Sequence, residues 1–292
     1  MGRQLRDLYA QETRNLLPQH TAIPKTGILQ ANDKEMDVSN IGIALQLYTL
    51  REEAAKNLED TLKRVRDTGF DYVQWSGMPD LPPEKIRVML DNVGLKAISG
   101  HYPLEDFEHN IDEAVAYWHI VGAPDVAVGS MPKDNHKDIR LWDLGAQRLE
   151  SIGAKLRSHG LRFSYHNHAF ELACFEGSTK SKLDRIFLHT RPVHVCAELD
   201  VAWLQVGGAD PAEVVKRYAG RCPIIHVKDL TAECTEENPQ FVPLGSGILD
   251  WEALFDAGEE AAVEWYVYEQ DTVSENPFED IRISYEFLSA HA

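Results

Sequence analysis

The chain is short of cysteine and of positive charge and has no long apolar run, and each shortage removes a class of protein. Four cysteines occur in 292 residues, at Cys174, Cys196, Cys222 and Cys234. They form no CxxC pair and no zinc-ribbon spacing, so neither a disulfide framework nor a structural zinc module is expected. They read as reduced thiols, some buried as small apolar side chains. Lysine and arginine number 29 against 47 aspartates and glutamates, a formal net charge of −18. Phosphate backbones and anionic membranes are bound by clustered cations. The scattered cations here argue against both as partners, while leaving open a local basic pocket for one phosphate. No segment has the length and apolarity to span a bilayer, and the first residues lack the apolar core of a signal peptide. A cytoplasmic protein is expected. The Gly245-Ser246-Gly247 run comes late in the chain, whereas a dinucleotide-binding unit wants a glycine-rich turn after an early strand.

What is present suits an ordinary globular enzyme. Hydrophobic residues make up 43% and charged residues 26% of the chain, and a chain of this length buries a sizeable core without cross-links. Residues 1–40 stand apart. Arg3 to Leu17 reads as a polar, weakly amphipathic helix, and Pro18 to Asn40 as an aperiodic linker. This arm is either a partly ordered extension or a segment that docks on another subunit of a homo-oligomer.

From Ile41 the chain alternates short apolar runs with amphipathic stretches. Strands are expected over Ile41–Tyr48, Tyr72–Trp75, Lys96–Ser99, Asp125–Val128, Arg162–His166, His194–Leu199, Pro223–Val227 and Glu264–Glu269. Helices are expected between them over Lys56–Thr68, Pro83–Asn92, Leu104–Val121, His136–His159, Lys180–His189, Asp210–Tyr218, a short stretch from Asp250, and Pro277–Ser289. Glycines at 69, 94, 122 and 160 stop four of the helices, and Asp210-Pro211 starts another. Strands alternating with helices imply parallel pairing through right-handed crossovers. Eight such units suit an α/β fold of the (β/α)8 TIM-barrel type, one catalytic domain over 41–292 behind the arm.

In such a barrel the chemistry gathers at the C-terminal ends of the strands. Those ends read Gln46-Leu47-Tyr48, Gln74-Trp75, Gly100-His101, Gly129-Ser130, Tyr165-His166-Asn167-His168, Glu198-Leu199-Asp200, His226-Val227-Lys228-Asp229 and Glu269-Gln270-Asp271. Polar groups crowding the ends of apolar strands are costly to bury without a purpose. Carboxylates and imidazoles from several strands form a mixed nitrogen and oxygen donor set, suited to one divalent ion: Mn, Co, Fe or Zn, or Mg where carboxylates dominate. Each residue also has an ordinary reading. His101 alone can bond a loop carbonyl, Asp200 can cap the next turn, and His226 can be a satisfied core histidine. Glu269 can be solvated at the rim, and Lys228 can pair with Asp229. Trp75 and Trp203 can be plain packing, or, with Tyr48, platforms for a sugar ring.

These strand ends, with the loop Pro243-Leu244-Gly245-Ser246-Gly247-Ile248-Leu249-Asp250-Trp251, resemble the xylose-isomerase-like barrel superfamily of sugar phosphate isomerases and epimerases. The resemblance runs from about Ile41 to the C-terminus. It implies a metal held by Glu, Asp, His and Glu from strands five to eight. Asp200, His226 and Glu269 match the last three positions. At the strand-five position the Tyr-His-Asn-His run replaces the usual Glu, so the fourth ligand is either Glu171, reaching back from the loop, or His166. Glu171 is preferred because it keeps three carboxylates and one histidine.

The same run resembles the branch that contains inosose dehydratases and enzymes eliminating from keto-sugars. In either branch the resemblance implies a metal that chelates a carbonyl and its neighbouring hydroxyl and stabilises an enediolate. Imidazole, with an unperturbed pKa near ~6.5, suits proton abstraction at neutral pH, which makes His166, His168 and His101 the candidate bases and Lys228 a donor to substrate oxygen. Reprotonation gives an isomerase or epimerase, the leading expectation. Loss of a β-substituent gives a lyase or dehydratase. A non-catalytic sugar-binding barrel is a third reading. The superfamily's DNA-repair endonuclease branch would need a basic face, which the charge opposes.

Overall fold

The computed structural model of the chain describes residues 41–291 except Met78. The arm expected over residues 1–40 lies outside the described residues. Eight parallel strands close into a barrel: β1 Gly42–Gln46, β2 Tyr72–Ser76, β3 Lys96–His101, β4 Asp125–Val128, β5 Arg162–His166, β6 Cys196–Asp200, β7 Ile224–Val227 and β8 Trp265–Tyr268. Each strand pairs with its sequence neighbour, and β8 closes on β1 with Gly42 opposite Trp265. The crossovers are mostly helical. Asn57 and Asp138 start two of these helices, each side chain accepting from backbone N–H groups of the first turn. Gly94 and Gly122 end two more in the left-handed conformation that a side chain would strain.

Side chains alternate across each strand, which divides the barrel into an outer shell and an axis. Outward residues such as Val73, Val126, Phe163 and Leu199 join the large core under the helices. Along the axis Ala44, Ile98, Ile224 and Val267 form a small separate apolar cluster, with Tyr72 and Trp265 packed against it. One step further along the same faces stand Gln46, His226 and Glu269. An apolar floor thus carries a polar upper layer.

Strict alternation would set Ile98 and His101 on opposite faces. The pairing of β2 with β3 jumps from Val73–Ala97 to Gln74–Ser99, so Ile98 is an extra residue. This bulge lets both side chains point inward, and without it His101 would face the helices.

Several boundaries differ from the expectation. The first strand ends at Gln46, whose side chain accepts from the Tyr48 N–H and turns the chain into a short 3-10 helix, Leu47–Leu50. The expected helix Lys56–Thr68 is two helices, Arg51–Lys56 and Leu58–Asp67, because Asn57 is extended and caps the second. A short helix over Val201–Val206, capped by Asp200, follows β6. The long loop after β7 contains a two-stranded antiparallel ribbon, Asp229–Leu230 against Phe241–Val242. Among the described residues no helix has the length and apolarity to cross a membrane.

Candidate metal centre

Closure of the barrel brings four of the strand-end donors together. One donor atom each from His166, Asp200, His226 and Glu269 lies within 4.8 Å of the others, and all four residues are buried. Local structure aims them. The Asp200 N–H donates to Asn167 Oδ1 at 3.1 Å, which pins the end of β6 to β5. Asp200 Oδ1 caps the following helix at the Trp203 N–H, 3.0 Å away. The capping role and the inward carboxylate therefore coexist, one oxygen each. His226 points its Nδ1 at Glu269 Oε2, 2.8 Å away. His166 Nε2 is 3.7 Å from Asp200 Oδ2.

Lys228, also wholly buried, extends into the same layer. Its Nζ is 2.9 Å from Asp200 Oδ2, 2.8 Å from Glu269 Oε2 and 2.9 Å from Asp271 Oδ1. Burial alone would favour a neutral amine, but these three carboxylates outweigh it and hold the lysine well above its ordinary pKa. The simple pairing with Asp229 does not occur. The Asp229 carboxylate instead accepts from Leu230, Gly245, Gly247 and Trp251 Nε1, at 2.9 to 3.0 Å, and organises the Pro243–Trp251 loop.

A second donor group overlaps the first: His101, His166, Glu198 and His226. Glu198, like Gln74, Gln46 and Asp271, stood at a strand end without an assigned part. Its Oε1 is 2.5 Å from His101 Nε2 and 2.9 Å from His226 Nε2, and its Oε2 accepts from Gln74 at 3.1 Å. Burial raises a carboxyl pKa, but the imidazoles of His101 and His226 outweigh it and hold Glu198 well below the usual range. Those two glutamates act the same way on His226. Burial pulls its imidazole down, yet Glu198 and Glu269 lift it to about 10.

The electrostatics fit a cation. Four carboxylates, Glu198, Asp200, Glu269 and Asp271, meet the Lys228 ammonium and the His226 imidazolium, an excess of negative charge that a divalent ion would offset. Burial lifts Asp200 to about 6 despite the Lys228 ammonium 2.9 Å from its Oδ2. The nitrogen and oxygen donor chemistry is that of Mn, Fe, Co or Zn sites.

Glu171, the preferred fourth donor, is not brought to this group. Its carboxylate turns away from the axis. Oε1 accepts from the Tyr165 hydroxyl at 2.7 Å, and Oε2 accepts from the His168 N–H at 2.8 Å. Both oxygens are occupied in a pocket with 0% exposure, and the alternative, His166, stands in the donor group instead.

Above the donors lies a cavity of about 270 Å³ lined by Tyr48, Ser76, His101, His166, His168, Lys228 and Glu269, together with Gly129 and Asp271. Tyr48 stands at its mouth, 38% exposed, under the Arg51 guanidinium. Trp75 is not at the cavity. It alternates outward from Gln74 and packs in the core under the helices. Trp203 stands behind the wall, 5.7 Å between ring centres from His168 and 5.2 Å from Phe241. Burial and the nearby Lys228 charge pull His168 down to about 4, so its ring is neutral at pH 7. A larger cleft of about 410 Å³ lies among the outer helices, but its acids, Asp210 and Asp250, are helix caps.

Comparison with known proteins agrees with this architecture. Inosose dehydratase of Lacticaseibacillus casei is 27% identical over 165 residues, 51% of this chain and 54% of that protein. The chain thus matches about half the length of that relative. A sugar phosphate isomerase/epimerase from Parabacteroides distasonis superposes with a TM-score of 0.74 at 21% identity, covering 92% of this chain and 98% of the other. The IOLI protein, solved with a bound zinc atom, superposes at 0.64 with 15% identity, covering 86% and 99%. At these identities the solved structures speak for the fold. A family model described as a xylose isomerase-like TIM barrel matches residues 36–291. With the closed eight-stranded barrel and the donors at its C-terminal mouth, the chain belongs to the xylose isomerase-like TIM barrel family.

Proposed function

We propose that this barrel is a divalent-metal-dependent isomerase or epimerase that moves a proton beside the carbonyl of a small sugar or keto-sugar. The observation that carries the reading is the convergence of His166, Asp200, His226 and Glu269 beneath a cavity lined by neutral imidazole. Those four residues would hold the ion. When bound, it supplies Lewis-acid polarisation of the carbonyl and lowers the pKa of the neighbouring C–H.

The remaining steps belong to the chain itself. His168 and His101 line the cavity and are the groups that can take the proton, and His168 is neutral at pH 7. Lys228, held charged by its carboxylates, donates to a substrate oxygen and stabilises negative charge as it develops. Asp271 holds that ammonium at 2.9 and 3.1 Å from its two oxygens, and so orients it toward the cavity. Tyr48 offers a ring at the mouth against which a sugar can pack.

A second reading, a lyase or dehydratase, draws on the likeness to inosose dehydratase. It also draws on the presence of two cavity imidazoles, since one can take a proton while the other returns it to a departing hydroxyl. A panel of keto-sugars incubated with metal-loaded protein in deuterated water, read by mass spectrometry, separates the two. Uptake of a deuteron without loss of mass supports the isomerase, and loss of water supports the dehydratase. A chain that binds no divalent ion and exchanges no substrate proton overturns both.

A further inference from the structure

Glu198 has no part in the reaction as proposed, yet three polar side chains meet at its carboxylate. It is wholly buried. Three N–H donors surround it: His101 Nε2 at 2.5 Å, His226 Nε2 at 2.9 Å and Gln74 Nε2 at 3.1 Å. The Gln74 amide cannot flip without loss. Its oxygen accepts from Gln46 Nε2 at 2.8 Å and lies 2.6 Å from His226 Nε2.

The hydrogen positions follow from this arrangement. An ionised carboxylate and an amide oxygen only accept. His226 Nε2 faces one of each, so it carries a hydrogen, and Nδ1, 2.8 Å from Glu269 Oε2, carries the other, which a metal bound there would displace. His101 Nε2 faces Glu198 and carries its hydrogen too. Its Nδ1 is then the nitrogen with a lone pair, and it lies beside Gly129 on the cavity wall, where a Cβ would approach it to 3.2 Å.

We propose that Glu198 is a positioning residue that keeps a hydrogen on Nε2 of both His101 and His226, presenting the Nδ1 of the first to the cavity and, once its proton is displaced, the Nδ1 of the second to the metal. Carboxylates that accept from the far nitrogen of a metal-bound histidine orient the ring and raise its basicity. One carboxylate doing this for two rings ties the candidate base on β3 to the candidate ligand on β7. Glu198 is not itself given to the ion, because its oxygens already meet three N–H groups. The His226 half of the proposal rests on the metal reading above, and the His101 half does not.

The test uses full-length protein with 15N-labelled histidine, zinc as the metal probe, and Glu198→Gln, which keeps the side-chain volume. Two-bond 1H–15N spectra report the tautomer of each ring, and competition with a chelator reports zinc affinity. In the zinc-loaded wild type both rings are expected as Nε2–H. In Glu198→Gln, His101 is expected to lose its single tautomer and zinc affinity to fall roughly 10–100-fold. Glu198→Ala, which removes both acceptors, is expected to fall at least as far. Zinc affinity within about twofold of wild type, or an unchanged His101 tautomer, overturns the proposal. A loss of zinc as complete as that of Asp200→Ala also overturns it, by making Glu198 a ligand. If the wild type binds no zinc, the metal reading fails, while the His101 tautomer in the metal-free protein still decides the other half.

Discussion

Glu171 and Glu198 are both wholly buried, and they lie in neighbouring regions of one barrel, the pocket behind β5 and the axis above the floor. In the β5 pocket, burial lifts Glu171 to about 8 despite hydrogen bonds from Tyr165 and His168. On the axis, the imidazoles of His101 and His226, at 2.5 and 2.9 Å, overcome the same burial and hold Glu198 well below the usual carboxylate range. The two donors to Glu171 are a hydroxyl and a backbone N–H, which carry no charge. Desolvation sets the baseline, and the charge of the neighbours decides the sign. The β5 pocket is therefore a structural clasp, and the axis is where ionised groups are kept ready for chemistry.

The largest effect expected is on metal binding. Asp200→Ala and His226→Ala should each lose more than the roughly 10–100-fold that an outer partner costs, while Glu171→Gln should leave affinity unchanged. Elemental analysis and chelator competition measure all three. Loss of the ion in Glu171→Gln would abolish the division between the two regions.

The next largest is on stability. Glu171→Ala strands the Tyr165 hydroxyl and the His168 N–H in a dry pocket, and should cost roughly 2–4 kcal/mol in urea unfolding. Tyr165→Phe removes one donor to Glu171 and one acceptor for the Met131 N–H, whose bond is 3.0 Å. It should cost less, about 1–2 kcal/mol by the same measurement.

The third effect is a slope with pH. A carboxyl whose folded pKa is raised contributes stability that is fully present below its unfolded pKa, near ~4.3, and is lost as pH rises through its folded value. For Glu171 that window closes at about 8. Glu171→Gln lacks this dependence, so its stability relative to wild type should improve from pH 5 to 8 and level off above. A variant that tracks wild type across that range would place Glu171 among ordinary ionised carboxylates.

Much of the framework is readable in the residues themselves. Strands β4 and β5 and the helix Leu104–Val121 begin and end where the apolar periodicity and glycine signals place them. Asp200, His226 and Glu269 were expected to converge because parallel strands closing into a barrel deliver their ends to one mouth, and the structure brings them together with His166. The direction taken by Glu171 is not readable, because it lies on a short 3-10 turn, Ala169–Leu172, and hydrogen bonds from the Tyr165 hydroxyl and the His168 N–H turn it away. The inward turn of His101 depends on the extra residue at Ile98, a matter of pairing with β2 that no local pattern announces. Glu198 shares the inward parity of Asp200 and so was visible as a candidate, but its partners come from β2, β3 and β7, as many as 124 residues away.

The sequence by itself determined the alternation of strands and helices, the barrel they close into, and the set of imidazoles and carboxylates at its mouth. Those depend on periodicity and capping within a few residues. The tertiary structure alone decided which of two buried glutamates faces the axis, which nitrogen of His101 is free, and which carboxyls stay ionised. Those outcomes depend on desolvation and charge summed over neighbours that meet only when the barrel closes.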